Sequence, residues 1–182
     1  MIILLLYSFT HAGEKPYQPM ALQTIDGKFV RIANPGNKSA FVILFLSPEC
    51  PLCISYSLTI KNIYQKFHLK GVEFAAIIPG KEYTKDNIIA FRNGYGLKMI
   101  PFYLDPNLAF AKQIQASITP EVFVLNQQNK IVYSGRIDDW AYELGKKRSV
   151  ITSHDLENVL EKLINKKPLK AYQTRAVGCF IN

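Results

Sequence analysis

The chain has 182 residues, of which 48% are hydrophobic and 20% charged. This length suits a single domain with a sizeable core, and the composition excludes a disordered chain. The formal net charge is +8, but the basic residues are scattered, with short clusters only at 146–148 and 166–167, so no nucleic-acid partner is predicted.

The first nine residues are almost all apolar, in a run too short to span a bilayer. Thr10, His11 and Ala12 then precede Gly13 and resemble the cleavage site of a secretory signal peptide. We therefore expect residues 1–12 to be a signal peptide, which would place the mature protein in the periplasm or outside the cell. The usual positive start is missing, and the alternative is a terminal strand packed on the domain.

Alternating hydrophobicity, helical spacing and turn residues predict the elements that follow. In chain order they are a hairpin over 22–32 with an Asp26–Gly27 turn, a buried strand over 41–46, a helix ended by Gly71, a buried strand over 72–78, a helix capped by Thr84 and ended by Gly94, a strand over 100–104, a helix over 108–114, two antiparallel strands over 121–125 and 131–135, a polar loop over 136–149 and a last helix capped by Ser153. This order implies an α/β domain with a mixed sheet flanked by helices. We expect the domain to cover 13–182, with its core at 20–165 and an extended tail at 166–182.

A pair of cysteines, Cys50 and Cys53, lies between the buried strand over 41–46 and the helix after it. Strand, Cys-x-x-Cys and helix in succession are typical of a thioredoxin-like redox site. The start of the helix would stabilise a thiolate on the first cysteine, and Pro51 suits the first turn because its missing N–H would be unpaired there. We predict that Cys50 is the exposed nucleophile and that Cys53 resolves the mixed disulfide.

Glu49 directly precedes the predicted nucleophile. Its negative charge should oppose thiolate formation and partly cancel the effect of the helix start. The redox potential therefore does not follow from the sequence. A structural disulfide or half of a zinc site are the alternatives for the pair, although no second Cys/His pair has ligand spacing.

Thr119-Pro120 stands immediately before the strand predicted over 121–125. A thioredoxin fold places a cis-proline beside its disulfide at such a position, and a cis bond is a property of proline. We expect Thr119 and Pro120 to bind substrate, with the backbone of Thr119 pairing with an extended peptide.

From about Met20 to Asn182 the chain resembles the thioredoxin-like redoxins, the alkyl hydroperoxide reductase and thiol-specific antioxidant superfamily in its broad sense. Within that group it is most similar to the extracytoplasmic thiol-disulfide oxidoreductases of bacteria. The matching segments are 41–45, 50–53, 119–125 and 135–139, and Gly178-Cys179 resembles a subgroup of uncharacterised bacterial redoxins. The resemblance implies a thioredoxin-like fold with an N-terminal hairpin, and a monomer without a bound cofactor that exchanges disulfides with protein partners and receives electrons from an upstream reductant.

The chain departs from the family pattern, and comparison with related classes leaves other functions open. Glu49 stands where thioredoxins carry tryptophan. A thiol peroxidase would have a proline where Ile43 stands, although Ser47 fits its pattern three residues before Cys50. A Cu(I) metallochaperone of this fold spaces its cysteines three apart and adds a histidine, for which His154 is the only candidate; soft thiolates would still suit Cu(I).

Cys179 has no obvious partner once Cys50 and Cys53 are paired. Its neighbours Phe180 and Ile181 indicate that the tail docks on the domain. Cys179 is therefore a candidate third thiol, which would form an alternative disulfide with Cys50 or supply a third metal ligand; the alternative is a free thiol on a frayed end.

Asp138 and Asp139 form a carboxylate pair in the loop after the last hairpin. Paired carboxylates can act as acid and base. A role in structuring the loop is the favoured prediction.

Overall fold

The computed structural model describes residues 17–182, so the predicted signal peptide at 1–12 lies outside the described residues. The strands are β1 (Met20–Thr24), β2 (Phe29–Ile32), β3 (Ala40–Phe45), β4 (Val72–Pro79), β5 (Phe102–Asp105), β6 (Ile118–Thr119), β7 (Glu121–Leu125), β8 (Ile131–Gly135), β9 (Ala141–Glu143), β10 (Lys146–Lys147), β11 (Tyr172–Gln173) and β12 (Cys179–Phe180). The helices are α1 (Pro51–Phe67), α2 (Lys85–Gly94), α3 (Ala109–Ile114) and α4 (Asp155–Ile164), with a 3-10 turn at His68–Lys70.

Eight of these strands form one mixed sheet in the order β11-β8-β7-β3-β4-β5-β1-β2. At its centre β3 runs parallel to β4 and antiparallel to β7, and β4 runs parallel to β5. The hairpin β1–β2 joins the sheet through β5. The thioredoxin-like mixed sheet and the N-terminal hairpin predicted from the sequence are both confirmed.

Strand β3 is apolar at every position because both faces of the sheet are covered. Its even-numbered residues, with Leu46, pack in one core with side chains of α1, α2 and α4. Phe41, Ile43 and Phe45 pack in a second core with α3 and the hairpin. Cys50 and Cys53 belong to the first core, so the redox pair sits where β3 delivers the chain to α1.

The last helix begins later than the sequence indicated. We predicted Ser153 as its cap, but α4 begins at Asp155 after His154. The Ser153 hydroxyl donates to the Asp155 carboxylate at 2.8 Å instead of accepting a helix N–H, and its own backbone N–H donates to Asp139. The polar loop predicted over 136–149 also contains a small hairpin, β9–β10.

The tail after α4 adds two short strands. Strand β11 pairs in parallel with β8, opposite Tyr133 and Ser134. Strand β12 pairs antiparallel with β6, with Cys179 opposite Thr119. The tail therefore crosses the sheet edge and ends at the cysteine pair. In the part of the chain that the structure describes, no helix has the length and hydropathy to span a bilayer.

Candidate redox site

The first cysteine occupies the cap position of α1. Cys50 has extended backbone angles (φ −76°, ψ 116°), and Pro51 begins the helix, as predicted. The Cys50 N–H donates to the Ser47 carbonyl at 3.3 Å, and the Cys50 carbonyl accepts from Ile54 N–H at 3.1 Å. The turn at 47–50 thus places the Cys50 side chain at the positive end of the helix dipole.

Three free thiols meet at this point. The Cys179 thiol donates to Cys50 Sγ at 2.8 Å, which is longer than the S–S bond of a disulfide, about 2.0 Å. Cys53 is 0% exposed and Cys50 only 2% exposed, whereas Cys179 is partly exposed. The prediction that Cys50 is the exposed cysteine is therefore wrong for this conformation, because the tail covers it.

Hydrogen-bond donors lower the pKa of Cys50 to about 4. The largest cause is the Cys53 thiol; the Cys179 thiol and the backbone N–H groups of both cysteines add to it, while burial opposes them. Donors aimed at a sulfur stabilise its charged form, so Cys50 is a thiolate at neutral pH. When protonated, its thiol donates to the Thr119 carbonyl at 3.1 Å.

The other two cysteines stay protonated. Burial, and then the neighbouring Cys50, raise the pKa of Cys53 well above its usual value and the pKa of Cys179 to about 11. Ser47 N–H donates to Cys53 Sγ at 3.4 Å. A thiolate is the attacking species in thiol–disulfide exchange, and of the three cysteines Cys50 is the one whose pKa favours it.

Glu49 has a smaller role than the sequence suggested. Its side chain is exposed and lines a shallow groove against α2 with Asn87 and Ala90. The main causes of the Cys50 pKa shift do not include Glu49. Exposure to water weakens the effect of its charge on the buried sulfur.

The Thr119–Pro120 bond is cis, as predicted, and Thr119 is buried. Glu121 organises the approach to it, because its carboxylate accepts from the backbone N–H groups of Ser117 (2.9 Å) and Ile118 (3.3 Å). No pattern in the sequence pointed to this role of Glu121. The backbone edge of Thr119 is not free for a peptide, since β12 of the tail already occupies it.

Gly178 allows the tail to come this close. A Cβ at this position would lie 2.0 Å from the Thr119 carbonyl oxygen and 2.7 Å from Ile118 Cγ2. Any larger residue would force the two backbones apart. The glycine next to Cys179 is therefore required for the tail to pair with Thr119.

Asp138 and Asp139 structure the loop, as favoured from the sequence. Asp138 accepts from the Tyr56 hydroxyl at 2.7 Å and from Trp140 N–H at 2.9 Å. Asp139 accepts from the backbone N–H of Thr152 at 2.8 Å. Sequence reasoning missed Tyr56, although its position three residues after Cys53 puts it on the same face of α1.

The structure offers no preformed metal site within residues 17–182, where no group of three or more His, Cys, Asp or Glu side chains could hold an ion. His154 is exposed at the start of α4. The Cu(I) alternative therefore stays a prediction without further support.

A cavity of about 240 Å³ lies next to the thiols. Its lining includes Ser47, Tyr83, Thr119 and Cys179, but neither Cys50 nor Cys53. The hydroxyls of Ser47 and Tyr83 are hydrogen-bonded at 2.7 Å. With the tail docked, Cys179 is thus the one cysteine among the described residues that lines this cavity.

The Redoxin family model matches residues 12–147, well over half of the chain and including Cys50, Cys53, Thr119 and Pro120. The chain belongs to the Redoxin family. The matched region ends before the tail, so Cys179 lies outside it. No curated protein matches the sequence.

Solved structures share the fold of this redoxin. A hypothetical protein from Sinorhizobium meliloti is 22% identical with a TM-score of 0.80, covering 92% of each chain. An uncharacterised conserved protein from Geobacillus kaustophilus is 24% identical with a TM-score of 0.80, covering 93% of this chain and 90% of that one. The thioredoxin domain of a thiol-disulfide oxidoreductase from Bacteroides vulgatus is 14% identical with a TM-score of 0.62, covering 85% and 99%.

Proposed function

We propose that this redoxin is a thiol-disulfide oxidoreductase in which Cys50 attacks protein disulfides and Cys53 resolves them. The observation that supports it best is the position of the two cysteines: Cys50 caps the start of α1, and Cys53 follows one turn later in the same helix. The lowered pKa of Cys50 agrees with that position. The cis-proline backbone at Thr119 lies 3.1 Å from the Cys50 sulfur.

The exchange has two steps. The Cys50 thiolate attacks one sulfur of a substrate disulfide, forms the Cys50–substrate bond and releases the other substrate sulfur as a thiolate. Cys53 then loses its proton and attacks Cys50, so that the Cys50–Cys53 disulfide forms and the second substrate thiolate leaves. The substrate gains two electrons and the cysteine pair loses two.

The substrate is an extended peptide that pairs with the backbone of Thr119, as in β-augmentation. Because β12 holds that edge, the tail must leave before the peptide binds. One protein chain supplies both the attacking and the resolving cysteine, so the reaction needs no second copy of the protein. An upstream dithiol would restore the reduced pair.

An extracytoplasmic location belongs to the same proposal and rests on the apolar segment at 1–12. N-terminal sequencing of protein purified from its native cell tests it. A mature chain that begins at Gly13 supports export, and retention of Met1 contradicts it.

Thiol peroxidase is the second candidate, and the low pKa of Cys50 favours it because peroxides also react with thiolates. Against it, the Ser47 hydroxyl is hydrogen-bonded to Tyr83 rather than to Cys50. The causes that lower the pKa of Cys50 are also hydrogen bonds from Cys53 and Cys179 rather than the charge of a neighbouring cation.

One assay compares the two activities. Wild-type protein and Cys50→Ser are each given insulin with a dithiol, and separately hydrogen peroxide with the same dithiol. We expect wild type alone to accelerate insulin disulfide reduction. Rapid peroxide consumption that depends on Cys50, with insulin left intact, would establish the peroxidase instead.

A further inference from the structure

The tail stands in the place that the proposed function assigns to a substrate. Strand β12 pairs antiparallel with Thr119 and puts the Cys179 sulfur 2.8 Å from Cys50. A substrate cysteine in a mixed disulfide would need the same position. The tail therefore presents Cys179 to the nucleophile as an internal partner.

Further contacts hold the tail there. Thr174 Oγ1 pairs with the Tyr133 hydroxyl at 2.7 Å and accepts from Arg136 N–H at 3.1 Å. Ala176 is buried, and Ile181 N–H donates to the Ser117 carbonyl at 2.9 Å. The approach of the two cysteines is thus built by backbone pairing and side-chain anchors on both sides of Cys179.

We propose that Cys179 is a third redox residue: it takes over the disulfide from Cys53 and presents it at the surface as a Cys50–Cys179 bond, which an external thiol then attacks at Cys179. This inference rests on the proposed exchange at Cys50. In this scheme the tail passes electrons from an external thiol to the buried pair Cys50 and Cys53.

The relay is balanced in bonds and electrons. After substrate leaves and the tail returns, Cys179 loses its proton and attacks the Cys50 sulfur of the Cys50–Cys53 disulfide; Cys53 leaves and is protonated. A thiolate of the external reductant attacks Cys179 from the 240 Å³ cavity and expels Cys50 as a thiolate. A second thiol of the reductant attacks the mixed disulfide and frees Cys179, so the reductant is oxidised and all three cysteines are reduced.

Electrostatics favour the attack of the external thiolate on Cys179. Cys50, with its pKa lowered to about 4, is the best leaving group of the three, so an external thiolate that attacks Cys179 meets a low barrier. After burial, the causes that raise the pKa of Cys179 are its hydrogen bond to Cys50 and the Cys50 charge. Both disappear while Cys50 is in a disulfide, and Cys179 then ionises more readily.

Disulfide mapping tests the inference directly. Reduced Cys53→Ser is oxidised with oxidised glutathione, alkylated and digested with trypsin, which releases Cys50 in peptide 39–61 and Cys179 in peptide 176–182. We expect these two peptides to be linked. Finding only glutathione adducts, in a folded protein, would overturn the relay. Cys53→Ala gives a second preparation with the same expectation.

A kinetic comparison tests the direction of electron delivery. Oxidised wild type and oxidised Cys179→Ser are reduced by glutathione in single-turnover experiments. We expect Cys179→Ser to be about 10-fold slower, because its docked tail still covers Cys50 and opening becomes necessary. Adding Gly178→Ala to Cys179→Ser releases the tail and should restore part of the rate; equal rates for wild type and Cys179→Ser would overturn the proposal.

The same proteins separate this inference from the proposed function. Cys179→Ser retains Cys50 and Cys53, so it should still form the Cys50–Cys53 disulfide and reduce insulin when reductant is in excess. If it does so while no Cys50–Cys179 link is found in Cys53→Ser, only the relay fails. If Cys179→Ser never forms the Cys50–Cys53 disulfide, the proposed function fails, and the relay with it.

Discussion

Cys53 and Cys179 reach the same sulfur by opposite routes. Cys53 lies three residues after Cys50 on α1 and is fixed by the rigid helix, with no exposed surface. Cys179 comes from 129 residues away on a two-residue strand and keeps part of its side chain in contact with solvent. The first contact survives any movement of the tail, whereas the second is lost as soon as β12 leaves β6.

This difference divides the chemistry between the two thiols. A thiol fixed beneath Cys50 is always in reach and suits the resolution of a bound substrate. In the proposed mechanism, a thiol on a removable strand alternates with substrate at Thr119 and is in place only when no substrate is bound. Local opening of a short strand is a low-energy event compared with unfolding of a packed helix.

The largest effect is expected from removing the sulfur that both thiols share. Cys50→Ser should lower the rate of insulin disulfide reduction to the uncatalysed rate, because Cys50 is the proposed attacking thiolate and neither Cys53 nor Cys179 replaces it. Turbidity of reduced insulin measures the rate. Activity that persists in a folded Cys50→Ser protein would show that another residue is the nucleophile.

Gly178→Ala should break the Cys179 contact and leave the Cys53 contact intact. Its Cβ would lie 2.0 Å from the Thr119 oxygen, and overpacking of this kind costs about 1–3 kcal/mol. The alkylation rate of Cys50 by iodoacetamide should therefore rise by about 5-fold to 150-fold.

The exposed Gly94, which has open space around its Cβ position, is the matched control for this change. Gly94→Ala should leave the alkylation rate unchanged. An unchanged rate in Gly178→Ala would mean that the tail does not limit access to Cys50.

The acid titration of Cys50 should rank the two donors. Removing a hydrogen-bond donor destabilises the Cys50 thiolate, so the midpoint of its titration moves to higher pH. Because Cys53 lowers the pKa of Cys50 more than Cys179 does, Cys53→Ala should raise that pKa more than Cys179→Ala. Thiolate absorbance measures it from about pH 4 upward, where the remaining thiols stay protonated. The reverse order would assign the stronger contact to the tail.

The smallest effect is expected at an anchor distant from the sulfurs. Thr174→Val removes the oxygen that accepts from Arg136 N–H and pairs with Tyr133. Loss of such a bond costs about 1 kcal/mol, which would raise the alkylation rate of Cys50 about fivefold. Gln173→Ala changes the exposed side chain just before Thr174 and should have no effect.

The sequence predicted what local patterns determine. The continuous apolar run at 41–46 indicated a buried strand, and Cys50-x-x-Cys53 after it located the site. Thr119-Pro120 before a strand predicted the cis bond. In each case a few adjacent residues contain the necessary information.

The sequence predicted that the tail docks and offered Cys50 as a partner for Cys179, but the strand pairing of the tail could not be predicted in the same way. Strands β11 and β12 have two residues each, too few to show a period, and their pairing depends on Gly178 and Thr174 meeting groups far away in the chain. The docked tail covers Cys50. Because the sequence did not show this pairing, it predicted an exposed Cys50. The prediction that Ser153 caps the last helix was wrong because the Ser153 hydroxyl donates to the Asp155 carboxylate.

In the proposed mechanism the tail and a substrate compete for the backbone edge at Thr119. Hydrogen exchange measures this competition in Cys53→Ala/Cys179→Ala, where a cysteine-containing peptide can be trapped on Cys50 as a stable mixed disulfide. We expect amides at 176–181 to exchange much faster after trapping, while those of Ile118 and Thr119 stay protected by the bound peptide. Unchanged protection at 176–181 would show that tail and substrate do not compete.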